Sequence, residues 1–106
     1  MRAQLDTPEY ANSTSGSYNF RSVPGMKNYL FIAFNVDVGN LRRTLVIPNG
    51  IDTQQYLYDQ GSTSYIRGGF YCDWKNQRIY VRYLECKGYT YKNVHVSGVF
   101  GICKIK

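Results

Sequence analysis

No stretch of this 106-residue chain sustains the apolar recurrence, roughly every 3.6 residues, that an amphipathic helix requires. What recurs instead is short runs rich in Tyr, Val, Ile, Phe and Thr. Turn residues cut them about every 8–12 positions, the spacing of an all-β sandwich or barrel. Residues 17–22 alternate, with Tyr18 and Phe20 on one side, before a Val23-Pro24-Gly25 turn. Residues 29–38 follow. Their first half is apolar on both faces, which predicts a strand covered on both sides. Their second half alternates, with Val36 and Val38 inward and Asn35 and Asp37 outward. Gly39-Asn40 reads as a hairpin turn and residues 44–47 as the return strand, closed by Pro48-Asn49-Gly50. A weaker strand covers 54–58, and 91–99 alternates again before 100–106 closes the chain. We expect seven or eight strands in an antiparallel β-sandwich over 17–106. Residues 1–16 are small, polar and aperiodic, and read as a linker or arm.

The most explicit hairpin has arms over 64–72 and 78–87, joined by Trp74-Lys75-Asn76-Gln77. With that loop, Cys72 faces Ile79 and Phe70 faces Val81 on an apolar side. Asp73 then faces Arg78 and Tyr71 faces Tyr80 on the other, a charge pair and an aromatic pair. A one-residue slip would set Cys72 against Arg78 and mix core with surface, so this register is preferred. Gly68-Gly69, within the first arm, predicts a bulge or a close backbone approach.

The chain carries 13 basic and 7 acidic residues, a net charge of +6. The excess is confined to residues 67–106, which hold eight basic residues against Asp73 and Glu85; residues 1–66 are balanced. A one-sided basic field attracts anions such as nucleic acid, anionic glycan or phosphate polymers. Cys72, Cys86 and Cys103 are odd in number, have no CxxC spacing, and suggest free buried thiols rather than a zinc site. One disulfide with one free thiol stays open. No apolar run is long enough for a membrane helix, and the first ten residues lack the apolar core of a secretory signal.

Catalytic residue types are scarce. His95 is the sole histidine, on a strand with Asn93 and Ser97 on its face, and no nucleophile elbow accompanies it. The basic half offers Asp73, engaged by Arg78, and Glu85, a solvent-facing strand position; a glycosidase needs two carboxylates held at a set separation. No phosphate-cradling loop, cofactor motif or metal-ligand spacing is present. The expectation is a protein that binds without catalysing.

Binding features are richer. The register places Tyr71, Arg78, Tyr80 and Arg82 on one outer face, two rings flanked by guanidiniums. Such a surface stacks on sugar or base rings and bonds to anionic groups. The tip loop adds Trp74, the single tryptophan, with Lys75 and Asn76. These seven residues are the candidate ligand contacts. Eleven tyrosines also suit an interface, and Tyr29, Phe31, Tyr56 and Tyr58 are expected in a subunit contact.

Three stretches carry a resemblance. They are the opening Ser17-Tyr18-Asn19-Phe20 with Gly25-Met26-Lys27-Asn28-Tyr29-Leu30-Phe31-Ile32, the strand Thr44-Leu45-Val46-Ile47-Pro48, and the end Val94-His95-Val96-Ser97-Gly98-Val99-Phe100-Gly101-Ile102-Cys103-Lys104-Ile105-Lys106. In this pattern the chain from Ser17 resembles the C-terminal tip domains of bacteriophage tail fibres and related receptor-binding proteins, many of which finish in a strand reading roughly apolar-x-apolar-x-Gly-apolar-Lys. The resemblance implies a jelly-roll or sandwich in a homotrimer at the tip of a virion fibre, made in the host cytoplasm. It further implies residues 1–16 as the junction with an upstream fibre shaft, and a bacterial surface polysaccharide or protein as partner. It carries over no binding residue, and the basic charge departs from it. The alternative is a small basic β-barrel that binds single-stranded nucleic acid, supported by basic residues interleaved with aromatics.

Overall fold

The computed structural model describes residues 2–4, 20–91 and 94–105. The expected arm lies outside these residues except for Arg2–Gln4, as do the start of the first expected strand and Asn93. The described chain is mostly β-strand, every strand pair antiparallel, with one 3-10 turn at Met26–Asn28. Its strands are β1 (Arg2–Gln4), β2 (Phe20–Ser22), β3 (Tyr29–Val38), β4 (Leu41–Pro48), β5 (Asp52–Asp59), β6 (Tyr65–Asp73), β7 (Arg78–Lys87) and β8 (His95–Lys104).

They form two sheets, ordered β1-β8-β3-β4 and β2-β7-β6-β5. That order corrects two expectations. A jelly roll nests its strands so that β3 would lie beside β6 and β4 beside β5. Here β3–β4 is a local hairpin and β5–β6–β7 a meander. The cause is turn length: a two-residue Gly39-Asn40 turn sets Val38 opposite Leu41 and so pairs β4 directly with β3. The two sheets are separate ladders, with β4 and β5 at their edges, and not a closed barrel among the described residues.

Alternation supplies the core. Ile32, Phe34, Val36 and Val38 of β3, Leu45 and Ile47 of β4 and Val96 and Val99 of β8 face Leu57, Ile66, Phe70, Cys72, Ile79 and Val81 of the other sheet in one buried cluster. Phe34 meets Phe70 between the sheets, with ring centroids 5.9 Å apart at 56°. Burying each such side chain contributes about 1.5–3 kcal/mol. The chain passes from β4 to β5 at Asn49-Gly50-Ile51, where backbone bonds tie it to both sheets. Asn49 N–H donates to the Leu30 carbonyl at 2.9 Å and Gly50 N–H to the Cys72 carbonyl at 2.8 Å. Asn49 Nδ2 also donates to the Met26 and Tyr29 carbonyls, each at 2.9 Å.

The β6–β7 register is the one expected: Phe70–Val81, Tyr71–Tyr80, Cys72–Ile79 and Asp73–Arg78. A bulge falls between Gly69 and Phe70, where Gly69 pairs with Tyr83 and Arg82 becomes the extra residue. Elsewhere the strands are longer than expected. β4 begins at Leu41 and β5 at Asp52, because ladder bonds extend past polar residues that break the apolar pattern. Tyr91 is outside β8, and β8 runs unbroken through the expected division at 99–100.

The first half of β3 is not covered on both sides. Leu30 is 52% exposed and Phe31 36%. The expected four-aromatic contact is also divided. Tyr29 is buried within the chain over Gly101, while Phe31 and Tyr56 lie on different sheets. All three cysteines are free, but only Cys72 is buried; Cys86 is half-buried and Cys103 exposed.

Candidate binding surfaces

The outer face of β5–β6–β7 holds the four strand residues singled out in the sequence. Tyr71 and Tyr80 stack across the ladder with centroids 6.3 Å apart and planes 23° from parallel. The Arg82 guanidinium lies 4.9 Å from the Tyr71 ring centre and 5.3 Å from that of Tyr80. Its Nε donates to Asp52 Oδ1 of β5 at 3.2 Å, and Arg78 Nη1 donates to the Tyr80 hydroxyl at 3.4 Å. Arg82 keeps the outward side that alternation gives it, and the bulge lets Tyr83 follow it onto the same face.

Trp74, Lys75 and Asn76 form the exposed turn at the end of the same hairpin. The Trp74 indole, 42% exposed, leans toward the β4–β5 connection, 3.7 Å from where a side chain on Gly50 would begin. Asp73 and Arg78 are register partners, yet the Asp73 carboxylate accepts from Asn76. The Asn76 backbone N–H donates to Oδ1 at 3.3 Å and its side-chain Nδ2 to Oδ2 at 2.8 Å. Asn76 therefore shapes the turn, and Trp74 and Lys75 are its outward groups.

A second ring cluster lies on the same face, toward the other end. Tyr56 and Tyr65 meet edge to face at 6.0 Å and 72°. The Arg67 guanidinium lies 4.8 Å from the Tyr65 ring centre and 5.7 Å from that of Tyr56. Arg67 Nη1 donates to the Tyr56 hydroxyl at 2.9 Å, and Arg67 forms an ion pair with Glu85. The Tyr65 hydroxyl donates to Glu85 Oε1 at 3.2 Å; desolvation first, then this bond, pushes the Tyr65 phenol up. Between the clusters, the Tyr83 ring lies on Gly69 and its hydroxyl bonds to Gln54. Sequence reasoning missed Tyr56, Tyr65, Tyr83 and the role of Glu85. The only local signal was outward tyrosines on strands whose mutual pairing was unknown.

A third feature is a tyrosine cleft at the end of the sheets opposite the Trp74 turn. It has a volume of about 290 Å³ and is lined by Asn40, Leu41, Tyr58, Ile66, Tyr89 and Tyr91. The outer face of the other sheet is different again. Ala33, Val46, Phe100 and Ile102 line an apolar groove of about 260 Å³, with Asn35 and Thr44 at its polar side. Further along β3, Asp37 holds Arg42 in a two-pronged pair at 2.6 and 2.9 Å. That bond chiefly holds the Asp37 carboxyl below its ordinary value, with His95 opposite adding to the effect. Asp37 thus lies between Arg42 and the cross-strand His95.

Among the described residues, no three His, Cys, Asp or Glu side chains are grouped to hold a metal ion, and no helix is long and apolar enough to cross a membrane. No known protein family, curated protein or solved structure matches the chain.

Proposed function

We propose that this chain is a non-catalytic receptor-binding module that recognises a surface glycan. In this reading it is the β-sandwich tip domain of a phage tail fibre, assembled as a homotrimer and carried on the virion. The carrying observation is the Tyr71–Tyr80–Arg82 stack on the outer face of β6–β7. Two rings are held parallel at a rigid sheet surface, with an arginine fixed over both. Fixed rings lose little rotamer freedom on binding and offer flat apolar faces to the C–H side of a sugar. One such site gives weak affinity; three engaged together strengthen it by roughly 10²-fold or more.

The apolar outer face of the other sheet supports the subunit contact. Val46 is 55% exposed and Phe31 36%, beside Phe100 and Ile102. Of the four residues expected in the contact this surface keeps Phe31 alone, and it leaves the ring face open.

Charge bears on the rival reading. Arg67 holds Glu85 and Arg82 holds Asp52, so the ring face carries its own counter-charges. Single-strand binding draws instead on a groove of basic groups that release counter-ions. The test is binding of the chain and of Tyr71→Ala/Tyr80→Ala to a panel of bacterial polysaccharides and to oligonucleotides, between about 50 and about 500 mM salt. The expected result is glycan binding that loses about ten-fold in the double variant and changes little with salt. Steeply salt-dependent oligonucleotide binding with no glycan binding overturns the reading.

A further inference from the structure

We infer that the cleft formed by the β3–β4 turn, β5 and the β7–β8 connection is a second, separate site that binds one uncharged pyranose ring. The inference goes beyond the ring face, which lies outside the cleft.

The lining decides the ligand class. Asn40, Leu41, Tyr58, Ile66, Tyr89 and Tyr91 include no charged side chain. A quaternary ammonium ligand fits an aromatic cage, but on a chain of net charge +6, with no acid in the lining, nothing offsets the general repulsion of a cation. A uronate or phosphate finds no cation among the same residues. A neutral ring with one apolar face and hydroxyls at its rim matches what is present. Its volume, about 290 Å³, lies at the small end of ligand sites and suits one sugar ring.

The aromatic geometry supplies two surfaces. Tyr89 and Tyr91 are near-parallel, with centroids 5.8 Å apart and planes 13° from parallel. Tyr58 stands against Tyr89 at 88° with centroids 5.8 Å apart. The result is a floor and a wall. A pyranose laid on one meets the other at its edge, with the Asn40 amide and the tyrosine hydroxyls as the polar groups in reach. Leu41 and Ile66 complete the apolar base.

The cleft is also built in advance of any ligand. The Tyr91 ring lies against Gly39, where φ is +58° and no side chain could coexist with the ring. Cys86 Sγ donates to the Tyr91 carbonyl at 3.7 Å, which anchors the backbone that presents this ring. The Tyr58 and Tyr89 rings brace each other edge to face. Rings fixed this way leave less to be ordered when a ligand arrives.

The experiment is an amide NMR titration of the intact chain with methyl glycosides of glucose, galactose, mannose and N-acetylglucosamine. Glucuronate and choline serve as charged probes. At least one neutral glycoside is expected to shift the Asn40, Leu41, Ile66 and Tyr91 amides saturably. Tyr91→Ala should weaken this about ten-fold and Asn40→Ala several-fold, while Tyr71→Ala leaves it unchanged. Asn40→Ala keeps every ring, so weakening there does not depend on the Tyr91 loop staying folded. Saturable shifts confined to the Tyr71–Tyr80 face would overturn the cleft while leaving the binding module standing. A stronger cleft response to choline or glucuronate, or no saturable cleft shift up to about 50 mM glycoside, would overturn it as well.

Discussion

The Tyr83 ring rests on Gly69 with no space between them for even a methyl group. Gly69 is where the β6–β7 ladder shifts, so the smallest residue sits where the ring must come closest to the backbone. Gly69→Ala is therefore expected to push the ring off the face and break its bond to Gln54. The cost should be about 1–3 kcal/mol, read from urea denaturation. In a Tyr83→Ala background the same change should be near neutral, since the added methyl then meets no ring. Equal costs in both backgrounds would mean that strain in the backbone, not the ring, makes Gly69 necessary.

Arg67 touches Tyr56, Tyr65 and Glu85 at once, through ring faces, a hydroxyl and a carboxylate. A planar guanidinium can do all three together; an ammonium cannot. Arg67→Lys keeps the charge and should still lower glycan affinity about three- to ten-fold, with the denaturation midpoint little changed. Unchanged affinity in Arg67→Lys would limit the ligand surface to the Tyr71–Tyr80 end of the sheet.

Legibility followed the range of the contacts. Tyr71–Tyr80 could be paired from sequence because a four-residue loop joins their strands and apolar alternation admits one register. Tyr56 opposite Arg67 could not, since β5 joins β6 through a connection whose length the sequence left open. Tyr91 was misread for a related reason. It alternates with its neighbours as a strand residue would, but its ring is captured by Gly39, on a hairpin distant in sequence. The apolar run at Leu30 and Phe31 reads as double coverage, and the second cover is missing within the described chain. Such a run reports that apolar area is present, not that the same chain buries it.

The last point gives an oligomer prediction. Val46 is exposed on the edge strand β4 and lines the apolar groove with Phe100 and Ile102. Val46→Arg should change monomer stability by no more than about 0.5 kcal/mol, because the side chain already projects into solvent. In the proposed trimer it would place a charge in an apolar contact. Light scattering should then show the trimer mass for the original chain and the monomer mass for the variant. A variant that keeps the trimer mass would move the contact to another surface.

Cys72 sets the alkaline limit. Its thiol is buried between the sheets, and desolvation pushes it from the usual value near 9 up to about 12. When the chain unfolds above pH 9 this thiol ionises, while in the folded state it stays protonated. The unfolded state then binds fewer protons, so stability falls as pH rises. The loss from Cys72 should approach about 1.4 kcal/mol per pH unit over the window between about 9 and about 12. Tyr65, also raised by desolvation, and Tyr58 add losses of the same sign at the upper end. Replacing Cys72 with Ala removes its titration and should flatten the lower part of that slope, at the cost of a smaller core side chain. Thiol labelling of the original chain at pH 8 should modify exposed Cys103 first and half-buried Cys86 more slowly, with Cys72 reacting only in denaturant. Rapid labelling of Cys72 in the folded chain would show that the two sheets part readily, and the share of the alkaline slope assigned to Cys72 would then be absent.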